Sequence, residues 1–164
     1  MRPPAKKISA LDHAMRFLAA RPHSEMELRK KLASRDHAPE DIDQALIRLK
    51  ELRYIDDDEL CARHAESRLA RTNLGPGKLR MELDRKGFAK NLVEKTVAAL
   101  YSDRQAEVET AIKAAIKKLK TLKPGLDKQA VRGKVYAHLI RKGFDMETAR
   151  KVALDSLDSL MAQD

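Results

Sequence analysis

The sequence predicts an all-α fold: a tandem array of three three-helix repeats, elongated in shape. Three observations carry that expectation. Residues 77–88, GKLRMELDRKGF, recur as residues 133–144, GKVYAHLIRKGF, with Gly, Lys, Leu, Arg, Lys, Gly and Phe at equal offsets. A more degraded copy, MELRKKLASRDH, stands at residues 26–37. Between the copies, apolar residues fall at helical spacing, and the period-two alternation of a strand is missing. A repeat at a fixed offset dictates architecture before any local signal does.

Taken in order, residues 1–8 hold two prolines and three basic residues with little to bury, and read as a flexible tail. The first repeat is expected at 9–55. Leu11, Ala14, Met15 and Leu18 form an amphipathic stripe, which Pro22 stops. Ser24 with Glu27 three residues on is a capping-box pattern, in which each side chain satisfies a free backbone N–H. The helix that follows places Leu28 and Leu32 on one face. Pro39, Glu40 and Asp41 open a third helix, because proline fits the first turn and acids suit the positive end of the dipole. Ile42, Leu46, Leu49 and Leu52 are its apolar stripe.

The second repeat is expected at 56–101. Asp56 is the N-cap, and Cys61, Ala65 and Leu69 line the inner face. Gly75-Pro76-Gly77 is expected to break that helix, start the next and set the angle between them. Leu79 and Leu83 then point inward. Gly87 stands where a left-handed C-terminal cap is wanted, and Phe88 folds back onto the helix. Val93, Val97 and Leu100 mark the sixth helix.

The third repeat is expected at 102–164. Ser102 and Gln105 suggest a capping box. Val108, Ile112, Ala115 and Leu119 are expected inward, with Lys113, Lys117, Lys118 and Lys120 largely outward. Pro124-Gly125 ends that helix. Val135 and Leu139 take the places of Leu79 and Leu83, Gly143 caps, and Asp145 opens the last helix through Ala149 and Val152. A single three-helix set buries little, so neighbouring units must support one another.

Composition narrows function. The 164 residues carry 34 basic and 25 acidic side chains, a formal charge of +9. Residues 112–142 hold ten of the bases and one acid, Asp127, so the remainder of the chain balances at 24 of each. The whole excess therefore lies in one segment, where it acts as a local field for an anionic partner. Six aromatics, none of them Trp, leave little platform on which bases would stack. No apolar run is long enough to span a bilayer, and residues 1–10 lack a signal core, so export is not expected. One cysteine, Cys61, suits a reducing cytosol.

Catalytic and metal signals are weak. The five histidines show no ligand spacing. Asp56-Asp57-Asp58-Glu59 is explained as a helix start. Gly75-Pro76-Gly77 lacks the strand and the GK[ST] of a phosphate loop. No Ser/His/acid set stands out, so no enzyme, cofactor or metal is expected.

The motifs, in their order, resemble the RecX family of bacterial RecA regulators. That family has a Ser-x-x-Glu-Leu helix, here Ser24 to Leu28. It has a Tyr-Leu-Asp-Asp stretch before a Phe-Ala helix, here Tyr54-Ile55-Asp56-Asp57 followed by Leu60-Cys61-Ala62. It has a glycine before a Leu-x-x-Lys-Gly-Ile/Val helix end, here Gly75 before Leu83 to Phe88. The likeness is clear over residues 9–100 and looser beyond. Leu60-Cys61 and Phe88 depart from the pattern as core swaps.

The resemblance implies binding in the helical groove of RecA–DNA filaments, with lowered ATP hydrolysis, strand exchange and repressor cleavage. It implies no catalytic residue and no cofactor. The expected partners are the RecA nucleoprotein filament and, weakly, DNA itself; a cytoplasmic monomer without membrane contact is expected. The expected contact residues are Lys113, Lys117, Lys118, Lys120, Arg132, Lys134, Arg141 and Lys142 in the third repeat, with Arg63, Arg68, Arg71, Lys78 and Arg80 in the second. A rival reading is a helix-turn-helix-like DNA-binding protein that acts without RecA, since a three-helix unit with a short turn also has that outline.

Overall fold

Among the described residues, six of the nine helices begin on a side chain that caps the free backbone, and several end beside a residue of positive φ. The computed structural model describes residues 8–161, so the tail expected at 1–8 lies, apart from Ile8, outside the described residues. Among those residues there are nine helices and no strand. They are α1 (Ala10–Ala20), α2 (Glu25–Ala33), α3 (Pro39–Glu51), α4 (Asp57–Thr72), α5 (Pro76–Arg85), α6 (Lys90–Leu100), α7 (Arg104–Leu119), α8 (Lys128–Lys142) and α9 (Met146–Met161).

Polar caps set most of the starts. The side chains of Ser9, Ser24, Asp56, Asp103, Asp127 and Asp145 each accept from the backbone N–H three residues on. Each bond satisfies one of the donors that a helix start leaves free. The box expected at Ser102 is therefore one residue late, with Asp103 taking the Ala106 N–H at 2.8 Å. The box at Ser24 is half formed: Ser24 takes the Glu27 N–H, while the Glu27 carboxylate turns to Arg21.

The stops follow backbone handedness. Gly87 and Gly143 have φ of +82° and +87°, as the repeated Lys-Gly-Phe predicts. Phe88 and Phe144 then return into the core, bonding back to the carbonyls of Leu83 and Leu139. The end of α4 differs from expectation. Asn73, with φ +46°, makes the left-handed turn, because a short amide side chain tolerates that region. Gly75 is extended and serves as the N-cap of α5. Likewise α7 ends at Leu119, well before Pro124-Gly125.

Three separate cores result. The first joins Ala14, Leu28, Leu32, Ile42, Leu46 and Leu49 of α1–α3. The second joins Cys61, Ala65, Leu79, Leu83, Phe88, Val93 and Val97 of α4–α6. The third joins Val108, Ala111, Ala114, Ala115, Val135, Leu139, Phe144 and Val152 of α7–α9. Leu52 and Ile112, both expected inward, are exposed. In α7 the inner face is mostly alanine, which lets its axis approach α8 and α9 closely, and the larger Ile112 rides outside that stripe.

The units join head to tail through their middle helices. At the first joint, the Ser24 hydroxyl at the start of α2 donates to the Lys86 carbonyl at the end of α5, 2.7 Å away. At the second, the Gly75 and Gly77 N–H groups at the start of α5 donate to the Lys142 and Gly143 carbonyls at the end of α8, at 2.8 and 3.0 Å. Ser24 and Gly75 each lie four residues before the equivalent leucines Leu28 and Leu79. Lys86-Gly87 and Lys142-Gly143 are likewise equivalent, so one joint is used twice. In both, the positive start of one helix meets the negative end of another, and groups left over by each ladder satisfy one another.

Candidate functional site: a basic seam across the second joint

The second joint brings together basic residues that the sequence places far apart. Lys142 is half-buried, and its ammonium donates to the Thr72 carbonyl at 2.7 Å. Lys117, exposed on α7, reaches the Arg71 carbonyl at 3.4 Å. Both lysines thus approach the last turn of α4, where unpaired carbonyls make the helix end negative. Burial, and then the positive charges of Lys117 and Arg68, push the Lys142 ammonium below its ordinary value. His138 is also lowered, by burial and then by Lys142, Lys118 and Arg141. In both groups burial is the larger cause, and the neighbouring cations of α4, α7 and α8 add to it.

Other expected contact residues are placed differently. Arg68 is held bidentately by Glu82, at 2.6 and 2.8 Å, and joins α4 to α5. Arg80 pairs with Glu94 at 2.9 Å and Arg63 with Glu59 at 3.1 Å. Lys78 is half-buried beside Gly143. Lys113, Lys120, Arg132, Lys134 and Arg141 are exposed along α7 and α8, and Lys118 is half-buried. Of the thirteen, Lys142, Arg68, Arg80, Arg63 and Lys117 have partners within the fold, and Lys117, Arg71, Lys118 and Arg141 lie around Lys142 and Arg68 as the seam.

Sequence reasoning passed over the contacts that build this seam. The Thr72 and Arg71 carbonyls carry no side-chain signal. The signal that was available is positional: small residues at Gly75, Gly77 and Gly143 stand at the places where Ser24, Met26 and Gly87 meet in the first joint. Tyr101 adds a strut, its hydroxyl donating to the Leu74 carbonyl.

The first joint leaves a cleft of about 310 Å³ between α1, α2 and α4–α5, bordered by Arg21, Arg63, His64 and Lys86 over Leu60 and Phe88. Glu27 stands at its inner wall. Burial pushes that carboxyl up, but hydrogen bonds from Arg21 and His23 and their charges outweigh it and bring Glu27 down to about 2. Among the described residues, no group of three or more His, Cys, Asp or Glu is disposed to hold a metal ion. Among them also, no helix is long and apolar enough to cross a membrane. Cys61 is fully buried beside Thr96, and burial raises its thiol.

A tandem helical-repeat protein is the class that this architecture defines. Two family models match within it: "RecX, first three-helix domain" over residues 10–49 and "RecX, third three-helix domain" over residues 105–153. A "Regulatory protein RecX" of Chlorobaculum tepidum is 36% identical over 146 residues, covering 89% of this chain and 87% of that one. A "Regulatory protein RecX" of Listeria monocytogenes serovar 1/2a is 31% identical over 94% of this chain, which spans 56% of that longer relative. The crystal structure of RecX from Lactobacillus salivarius superposes with a TM-score of 0.78 at 21% identity, covering 91% of this chain and 94% of that one. The chain belongs to the RecX family of regulatory proteins.

Proposed function

We propose that this protein binds in the helical groove of a RecA–DNA filament and restrains RecA there. It lowers ATP hydrolysis, strand exchange and repressor cleavage, and so modulates recombinational repair and the SOS response. The observation that carries this reading is the seam: Lys117 and Lys142 rest on the Arg71 and Thr72 carbonyls, so that basic residues of two units form one continuous surface. Such a surface on a row of helical units complements a long groove walled by phosphates and acidic side chains. Restraint of this kind needs occupancy of the groove and no chemistry, so the protein acts without catalytic residues or a cofactor.

On this reading the contact surface comprises the seam with Lys113, Lys120, Arg132 and Lys134 beside it, and Arg63, Lys78 and Arg80 along the second unit. The working boundaries are 9–55, 56–101 and 102–164. The protein acts as a cytoplasmic monomer that touches DNA weakly on its own. Titrating RecA's DNA-dependent ATPase with the protein tests the reading, paired with a band shift on the same DNA with and without RecA. Inhibition, with a shift that depends on RecA, supports it. A shift of equal strength without RecA, and no inhibition, assigns the protein to independent DNA binding.

A further inference from the structure

The cleft lies at the joint made by the end of α5, the seam at the joint made by its start, and the lining of the cleft is of a different kind. It combines cations, neutral donors and an apolar floor in a space of about 310 Å³, at the small end of ligand-sized cavities. A helix or a peptide strand of a partner protein needs a longer groove. One phosphorylated nucleoside is of the right size.

The donors come from two elements. α4 supplies Arg63, His64 and Ser67, of which Arg63 and Ser67 lie one turn apart on the same side of the helix. The loop after α5 supplies Lys86. Three cations, Arg21, Arg63 and Lys86, face a single carboxylate, Glu27. That carboxylate is already taken by Arg21, with the His23 Nδ1 at 3.0 Å from it. Arg63 has only an exposed pair with Glu59 one turn back on its own helix, a weak bond from which its guanidinium can turn away. No carboxylate pairs with Lys86 among the described residues. The surplus of positive charge therefore belongs to Arg63 and Lys86, which line the cleft with His64.

His64 is half-buried, and burial followed by Lys86 and Arg68 lowers its imidazole. With Arg63 and Lys86 it lines one cleft, a set of cations and a ring nitrogen that fits phosphate oxygens. Beneath them lie Leu60 and Phe88, with Pro22 at the edge. A bare phosphate would leave that floor wet. A nucleoside attached to the phosphate would cover it, since every base presents an apolar face.

We infer that the cleft between the first and second units binds one phosphorylated nucleoside, its phosphate on Arg63, His64 and Lys86 and its base against Leu60 and Phe88. The same chemistry is offered by a free nucleotide and by one residue of a nucleic-acid strand. The site shares Arg63 with the contact surface proposed above, and Arg68 of the seam is near enough to lower His64, but the inference does not depend on the RecA reading.

The test is nuclear magnetic resonance on the full chain at neutral pH, titrated separately with thymidine 5′-monophosphate, a short thymidine oligonucleotide, and thymidine. The His64 ring resonances are expected to move with at least one of the two phosphorylated probes. Movement with the monophosphate makes the ligand a free nucleotide; movement with the oligonucleotide alone makes it a strand. Arg63→Ala with Lys86→Ala should weaken the responsive probe by about tenfold or more, the loss of two charge-assisted contacts. Arg63→Lys with Lys86→Arg should retain most of the affinity. Both side chains are exposed at the rim of the cleft, and Lys86 serves the joint through its backbone carbonyl, so the melting curve should not change. Lys113→Glu with Lys120→Glu, in the third unit, should leave the monophosphate response intact. The inference is overturned if His64 moves with neither phosphorylated probe. It is equally overturned if thymidine alone moves it as far, or if the double alanine variant binds as the wild type does.

Discussion

Gly75 and Gly143 meet backbone to backbone across the second joint. A Cβ placed on Gly75 would stand 2.5 Å from the Gly143 oxygen, inside hard contact, and one on Gly143 would stand 2.5 Å from the Lys78 Cβ and 2.8 Å from its Cα. The Gly75 and Gly77 N–H groups reach the Lys142 and Gly143 carbonyls only because neither side carries a side chain there. The joint is held by backbone, so its geometry has little freedom.

A matched pair of substitutions separates this contact from simple backbone strain. Gly125 and Gly143 both have positive φ, +83° and +87°, but a Cβ on Gly125 meets nothing within 4 Å. Gly125→Ala should therefore cost about 1 kcal/mol, the strain of a left-handed alanine. Gly143→Ala adds overpacking against Lys78 and should cost about 2–4 kcal/mol. Chemical denaturation measures both. Hydrogen exchange should also show the Gly75 and Gly77 amides losing protection in Gly143→Ala and keeping it in Gly125→Ala. Equal costs with no change in exchange would mean that the joint does not form as described.

Leu83 and Leu139 are fully buried at equivalent places in two different cores. Alanine at either should cost about 2–5 kcal/mol, the usual range for a leucine cavity. Because the cores are separate, the damage should also be local. Leu83→Ala should speed exchange mainly in α4–α6, and Leu139→Ala mainly in α7–α9. Exchange rising evenly through both units in either variant would point to a single cooperative core.

Glu27 gives the first unit an acid-sensitive element. Its folded carboxyl lies at about 2, against an ordinary value of 4.5, because Arg21 and His23 outweigh the cost of its burial. A lowered carboxyl stabilises the fold where it is ionised. The contribution is thus complete above pH 4.5 and is lost as pH falls toward 2. Glu27→Gln should lower the melting temperature at neutral pH and narrow the gap to wild type below about pH 3. A gap that stays constant from pH 7 to about 2 would show that the charge is not what matters there.

Much of the fold was legible because helix ends speak locally. Lys-Gly-Phe at 86–88 and 142–144 marks left-handed caps, and Asp56 and Asp145 mark starts, whereas the caps at Asp103 and Asp127 do not stand out in the sequence. The errors are local too. Asn73 makes the turn expected of Gly75-Pro76-Gly77, since asparagine also takes positive φ and carries a weaker sequence signal for it than glycine. Ile112 was assigned inward on spacing alone, whereas Ala111, Ala114 and Ala115 suffice for the inner face once α7 packs closely. The seam was half legible: charge density marked 112–142, but nothing local says that Lys142 will be spent on the Thr72 carbonyl, 70 residues away. The cleft was not legible, because Arg21 and Lys86 end two different helices, His64 lies in the middle of a third, and they meet only when two units dock.

RecA's ATPase on single-stranded DNA, titrated with wild type and with the triple variant Lys113→Glu, Lys117→Glu, Lys120→Glu, tests the proposed function most directly. All three side chains are exposed, so the helical spectrum should stay unchanged, and the melting point should fall only slightly, through loss of the long Lys117 contact with the Arg71 carbonyl. Glu109→Lys, also exposed on α7, is the control; Glu107 is unsuitable because it is half-buried and faces Asp145. Wild type and Glu109→Lys should inhibit, and their inhibition should weaken as salt rises, through counterion release and screening. The triple variant should inhibit at least about tenfold less well at low salt. A triple variant that inhibits as strongly as wild type would contradict the proposal that the basic surface of the third unit engages the filament.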